Sequence, residues 1–133
     1  MRVKLLNLLP PFIYLSLVLL PFTANAAKPV CKTTSSGAPL FQYSGPVTKV
    51  YVNAGNLILV YFDEPVTVEE AASCGLTITH GHAASFRLDE QPDFAKLFYS
   101  TALAAQASQR DVVIQMYGVT HGYLMFDRIW LAE

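Results

Sequence analysis

The sequence is poor in charge and in sulfur, and neither sign of charge is in excess. Of its 133 residues 14% are charged, with 9 Lys+Arg against 10 Asp+Glu and a formal net charge of −1. A balance this flat excludes a strongly basic nucleic-acid binder, whose affinity rests on neutralising phosphates. There are only 2 Cys, 3 His and 1 Trp. Zinc sites need about four ligands at recognisable spacing, and the cysteines and histidines show no such pattern. No Gly-rich stretch could cradle a phosphate. Ser100 and Ser108 have no local His or Asp partner, so a hydrolase triad has no support. The adjacent acids Glu69-Glu70 and Asp89-Glu90 diverge on a helix or a strand and read as solvated surface rather than an acid/base pair. An enzyme is not expected, nor is a cofactor or a metal. His80 and His82, which His121 could join from a distant loop, read as exposed loop histidines.

Apolar residues, in contrast, are abundant. At 53% they exclude intrinsic disorder, and the length allows one domain. Part of that fraction sits in residues 1–26, where Arg2 and Lys4 precede a short apolar run from Phe12 to Leu20. Pro21 breaks the run, and Ala24-Asn25-Ala26 is a small-x-small cleavage site. This is the pattern of a secretory signal peptide cut near Ala26. The prolines at 10, 11 and 21 leave no stretch of the roughly 20 residues that a membrane span needs, so no stable anchor is expected. The product would be secreted or periplasmic. Arg2 and Lys4 leave with the signal and no acid does, so residues 27–133 are mildly acidic.

Cys31 and Cys74 both lie in the mature part. An even count in an exported chain implies one disulfide. It would close a loop of about 43 residues and tie down the polar arm that runs from Ala27 to Pro39.

The pattern of elements suggests a mainly β domain with one helix. The arm, with two prolines and Thr33 to Gly37, reads as extended or loop. Val47–Val52 and Leu57–Phe62 read as strands joined by a turn at Asn53 to Asn56, and the second is apolar throughout, as in a strand buried on both faces. Asp63 to Ser73 is a polar connection with room for a short helical turn. Leu76–Thr79 and Ser85–Leu88 are short strand-like pieces about Gly81. From Pro92 a helical stripe follows, with Phe94, Phe98, Ala102 and Ala105 on one side and Arg110 near the end. Its small residues suit close packing, either through plain helix propensity or against a subunit neighbour. Asp111–Tyr117 and Tyr123–Leu131 are strands about a turn at Gly118 to Gly122, with Asp127-Arg128 marking a bulge or an edge. The order β-β-β-α-β-β is that of an OB-fold-like five-stranded barrel.

The segment Leu97-Phe-Tyr-Ser-Thr-Ala-Leu-Ala-Ala-Gln-Ala-Ser108, followed by Val112-Val-Ile-Gln-Met116, resembles the helix and next strand of subtilase cytotoxin B subunits and their pertussis-like relatives. Tyr43-Ser44, Val47 and Val50-Tyr-Val52 are similar to the first-strand region, and Ile129-Trp-Leu131 to the closing strand. The resemblance implies an OB-fold B subunit. Such subunits form a pentameric homo-oligomer that binds cell-surface glycans and carries a separate catalytic A subunit. It also implies a glycan-pocket role for Ser44, with Tyr43 beside it. The chain departs from the family in having no Cys between Gly118 and Gly122. Independently of the resemblance, sugars stack their C–H faces on aromatic rings, and residues 27–133 hold Tyr43, Tyr51, Tyr61, Tyr99, Tyr117, Tyr123 and Trp130. The other reading is a small exported structural or interaction protein with no sugar site.

Overall fold

The structure is a computed structural model and describes residues 26–133; residues 1–26, read as an export signal, lie outside the described residues except for Ala26. Seven strands form a single sheet. They are β1 (Val30–Thr33), β2 (Pro39–Gly45), β3 (Val50–Val52), β4 (Leu57–Tyr61), β5 (Ala83–Arg87), β6 (Val112–Thr120) and β7 (Tyr123–Leu131). Two helices accompany them, the short α1 (Val68–Ser73) and the long α2 (Pro92–Ser108). The ladder order is β1-β2-β6-β7-β5-β4-β3, antiparallel throughout except for the parallel pair β5–β7.

Local chemistry explains each piece. The arm, read as extended or loop, is extended over β1 and pairs with β2 in a hairpin, whose turn at Thr34–Gly37 closes with Thr34 N–H donating to the Ala38 carbonyl at 2.9 Å. β2 then inserts Phe41 and Tyr43 into the core while Gln42 and Ser44 face outward, the alternation of a half-buried strand. Asn53 builds the β3–β4 turn by accepting from the Gly55 and Leu57 N–H groups. Ile58, Leu59 and Val60 are all buried, as the unbroken apolar run of β4 predicts. α1 opens with a reciprocal cap: Thr67 Oγ1 accepts from Glu70 N–H, and Glu70 accepts from Thr67 N–H. α2 starts on Pro92 and ends on Gln109 in the left-handed conformation, φ 54°. Its Ala95, Phe98, Ala102 and Ala105 are buried against β5 and β7, and the Phe98 and Phe126 rings stack at 4.1 Å.

Three sequence expectations are corrected. Residues 76–79 form no strand: Thr79 and His80 spend their N–H groups on a turn carbonyl, that of Gly122, rather than on a ladder. The expected strand Val47–Val52 shrinks to Val50–Val52: Val47 is buried in the core on the crossing from β2, and the Thr48 carbonyl accepts from Gln106 Nε2 of α2 rather than from a ladder. The five-stranded barrel is replaced by a seven-stranded sheet that does not close, because the arm adds β1 at one end and the Gly45-Pro46 break leaves β3 unladdered to β2.

The open sheet is nonetheless far from flat. β2 and β3 lie five strand positions apart, about 24 Å in a flat sheet at ~4.8 Å per strand. The chain from Gly45 to Val50 can reach no more than about 18 Å. The sheet must therefore curl so that its two ends approach. Bulges help: Gln115 pairs with Arg128 but Met116 with Phe126, so Asp127 is the extra residue, and a second register shift lies between Met116 and Val119.

Cys31 and Cys74 form the expected disulfide, joining edge strand β1 to the end of α1. From the 43-residue separation, the loop-entropy model gives a stabilisation of about 4 kcal/mol. The Cys31→Ser, Cys74→Ser double variant is expected to lower the unfolding free energy in urea by about 3–4 kcal/mol. A loss under about 1 kcal/mol would show that the arm is held without the bridge.

Candidate functional site

Tyr43 and Ser44 cannot serve one ligand together. Successive residues of a strand point to opposite faces. Tyr43 is 0% exposed, packs its ring on Phe62 at 5.2 Å, and donates its hydroxyl to the Pro46 carbonyl at 2.8 Å. Burial, and then the charges of Asp63 and Asp111, push its phenol well above the ordinary tyrosine range. Its ring offers no face to a sugar. Ser44 does face outward. It lies in a cross-strand row with Val113 and Trp130, and the next row along that face is Gln42, Gln115 and Arg128. Gln115 Nε2 donates to Gln42 Oε1 at 3.3 Å across it.

A denser arrangement lies where β4 ends and β5 and β7 begin. Tyr61 closes β4, His80 and His82 lead into β5, and Tyr123 opens β7. Their rings contact in a chain: Tyr61–His82 at 5.4 Å, His82–Tyr123 at 5.7 Å and His80–Tyr123 at 4.7 Å, with His80–His82 at 6.1 Å. Both histidines are exposed and both tyrosines half-buried. Lys49 caps one edge, its ammonium 4.1 Å from the Tyr61 ring centre.

Two glycines hold these rings together. The Gly122 carbonyl accepts from both Thr79 N–H and His80 N–H, at 2.9 and 3.0 Å, which docks the 79–82 loop onto the β6–β7 turn. Gly122 has φ 81°, and a Cβ there would overlap the Thr79 side chain. The Gly81 carbonyl accepts from Val66 N–H at 2.9 Å, and a Cβ on Gly81 would overlap the Val66 carbonyl. Phe62 N–H donating to the His82 carbonyl completes the clamp. The loop is thus pinned from both sides and presents His80 and His82 at fixed positions.

His121 does not join the pair. Its ring bonds to Thr120 Oγ1 at 3.0 Å and to Arg87 Nη1 at 3.3 Å, and Arg87 is itself gripped by Asp89 and Glu90. Among the described residues no three His, Cys, Asp or Glu side chains are grouped to hold a metal ion. Open clefts lie elsewhere, one of about 180 Å³ between Phe86, Phe94 and Asp127 and one of about 290 Å³ beside Lys28 and Cys31. The ring patch is therefore open surface, with π faces, two imidazoles able to donate or accept, and one cation. Such a surface can stack on the C–H face of a sugar and bond its hydroxyls.

Residue reading places His80 and His82 in a loop and leaves Tyr61 and Tyr123 as ordinary strand tyrosines. What brings them together is the parallel β5–β7 pairing, a contact between distant segments that no local pattern announces. A search of protein-family models, curated proteins and solved structures finds no significant match to this chain.

The Arg87–Asp89 pair makes a pH prediction. The Arg87 guanidinium, through its hydrogen bonds, holds the Asp89 carboxyl below the usual carboxylate range. A carboxyl depressed on folding stabilises the fold fully above its unfolded pKa, and that contribution fades as pH falls through the folded value. In a ¹³C NMR titration Asp89 is expected to protonate at lower pH than a model-peptide aspartate, and Arg87→Gln to bring it back up. An unchanged midpoint in the variant would remove Arg87 as the cause.

Proposed function

We propose that this chain is an exported glycan-binding domain of the toxin B-subunit kind, acting as an oligomeric delivery or attachment subunit rather than an enzyme. The observation that carries the reading is the pinned patch of Tyr61, His80, His82 and Tyr123, with Lys49 at its edge. Four rings, two exposed and two half-buried, are held in mutual contact at the surface, and among the described residues none of them spends its polar atoms on a side-chain hydrogen bond. Lining a shallow surface with rings and a few polar groups is how proteins meet sugars. The disulfide is consistent with a non-cytoplasmic location, secreted or periplasmic after cleavage near Ala26.

The resemblance to subtilase-cytotoxin-like B subunits extends this reading to a pentamer and a separate catalytic subunit. The path of the chain supports an OB-like ancestry. If β2 and β3 are taken as one long strand broken at Gly45-Pro46, then strands β2 to β7 follow an OB-like path, with α2 between the third and fourth, and the break is where the barrel stays open. Ser44, with Trp130 in its row, is a second candidate surface for the same ligand class.

The exported protein is expected to bind on a glycan array and to scatter light as an oligomer. His82→Ala and Tyr123→Ala are each expected to weaken binding about tenfold or more, the loss of roughly 1.4 kcal/mol. Loss confined to Ser44→Ala or Trp130→Ala would move the site to the outer sheet face. A monomer that binds no glycan and pulls down one dominant protein partner would favour the alternative, a structural or interaction module without a sugar site.

A further inference from the structure

Near the start of the described residues one alanine is held closely. Ala26 is exposed, whereas Ala27 is held on three sides. Its nitrogen lies 3.2 Å from Asp63 Oδ2, its carbonyl accepts from Glu64 N–H at 3.1 Å, and its methyl packs against the core beside Gly45. Gly45 is needed there: a Cβ on it would overlap the Ala27 methyl and crowd the Tyr43 hydroxyl. The residues that follow are fixed in turn, Lys28 by an ion pair to Glu70 at 2.6 Å and Cys31 by its disulfide. The seat is therefore built for residue 27, and the Ala24-Asn25-Ala26 motif puts the cleavage one bond before it.

We propose that export processing hydrolyses the Ala26–Ala27 bond and that the α-ammonium so formed is the ligand of this seat, ion-paired to Asp63. In the step a signal peptidase adds water across the peptide bond. The hydroxyl goes to the Ala26 carbonyl carbon and a hydrogen to the Ala27 nitrogen, which takes one further proton from solvent. One amide donor becomes three ammonium donors carrying a full charge beside a carboxylate, a charge-assisted bond in place of a neutral donor. Processing thus tightens the fold at the point where the arm meets the Gly45-Pro46 break. The inference rests on the export-signal reading and not on the glycan reading, so it stands or falls independently of any sugar.

The test uses the full chain, expressed with its own leader in a secreting host. Intact mass of the exported product is expected to begin at Ala27. Retention of the leader, or a start at another residue, would overturn the proposal. The exported form is then compared with one carrying Gly-Ser ahead of Ala27. The native terminus is expected to melt about 2–5 °C higher, the scale of a sub-kilocalorie pair in a domain of this size, and the gap to narrow at high salt. Asp63→Asn is expected to lower the melting point of the native-terminus form and to leave the extended form nearly unchanged. Equal melting points for the two wild-type forms, or an equal loss from Asp63→Asn in both, would show that Asp63 does not hold an ammonium.

Discussion

The rest of the structure depends on how little chain joins β2 to β3. Four residues, Pro46 to Lys49, connect strands at nearly opposite ends of the sheet. Chain length alone forces the sheet to curl, and the curl makes an inside. Val47, in the middle of the connection, is buried in that interior with Phe41, Tyr43 and Phe62 around it. The same connection is held at both ends and in the middle. Pro46 takes the Tyr43 hydroxyl, Thr48 takes Gln106 Nε2 from α2 at 3.0 Å, and Lys49 accepts from Tyr61 N–H at 3.1 Å. A segment that crosses the mouth of a core needs its carbonyls satisfied, and those of Pro46, Thr48 and Lys49 each have a partner from a different element.

The ring patch and the Ala27 seat both sit beside that connection. Lys49 is its last residue and lies over Tyr61 at the edge of the ring patch. Gly45 ends the strand before it and makes room for Ala27. The patch itself is on a loop, but one docked by backbone bonds to the β6–β7 turn and to Val66. Rings presented this way lose little freedom when a ligand covers them, which is the condition under which a small contact area can still bind.

Much of the fold was legible from residue patterns because the decisive signals were local. The β3–β4 turn follows from Asn53 and Asn56, α2 from Pro92 and the Phe94–Ala105 stripe, and the bulge from Asp127-Arg128. The disulfide followed from counting. The arm reads no further than extended or loop because its residues prefer turns, and the pairing of β1 with β2 depends on a hairpin that local propensity does not specify. Strand parity could have separated Tyr43 from Ser44, since the alternation of Phe41, Tyr43 and Gly45 against Gln42 and Ser44 is written in the sequence. The ring patch was not legible. Its members lie on three segments, up to 62 positions apart, brought together by the β4–β5 and parallel β5–β7 ladders and by the docking of the 79–82 loop on Gly122.

The alanine-rich helix shows how one sequence feature divides once its surroundings are known. Ala95, Ala102 and Ala105 flank Phe98 on the face turned to the sheet, and all are fully buried. Small side chains there let the helix backbone approach β7 closely enough for Phe98 to stack on Phe126, with Phe94 edge-on to Phe86 beside it. These alanines are thus explained inside the chain and need no neighbouring subunit. The outward alanines, Ala104 and Ala107, require only helix propensity. What the outer face does expose is Leu97 at 68% and Leu103 at 38%, two isolated leucines among Lys96, Ser100 and Gln106. Scattered single apolar residues are normal on a surface. An oligomer of this chain must therefore draw its buried area from elsewhere. The exposed sheet edges are the physical alternative, because β1 and β3 each leave one side of their backbone without a ladder partner. Pairing on the β1 edge would also keep the ring patch, on β4, β5 and β7 with Lys49 beside β3, clear of the contact.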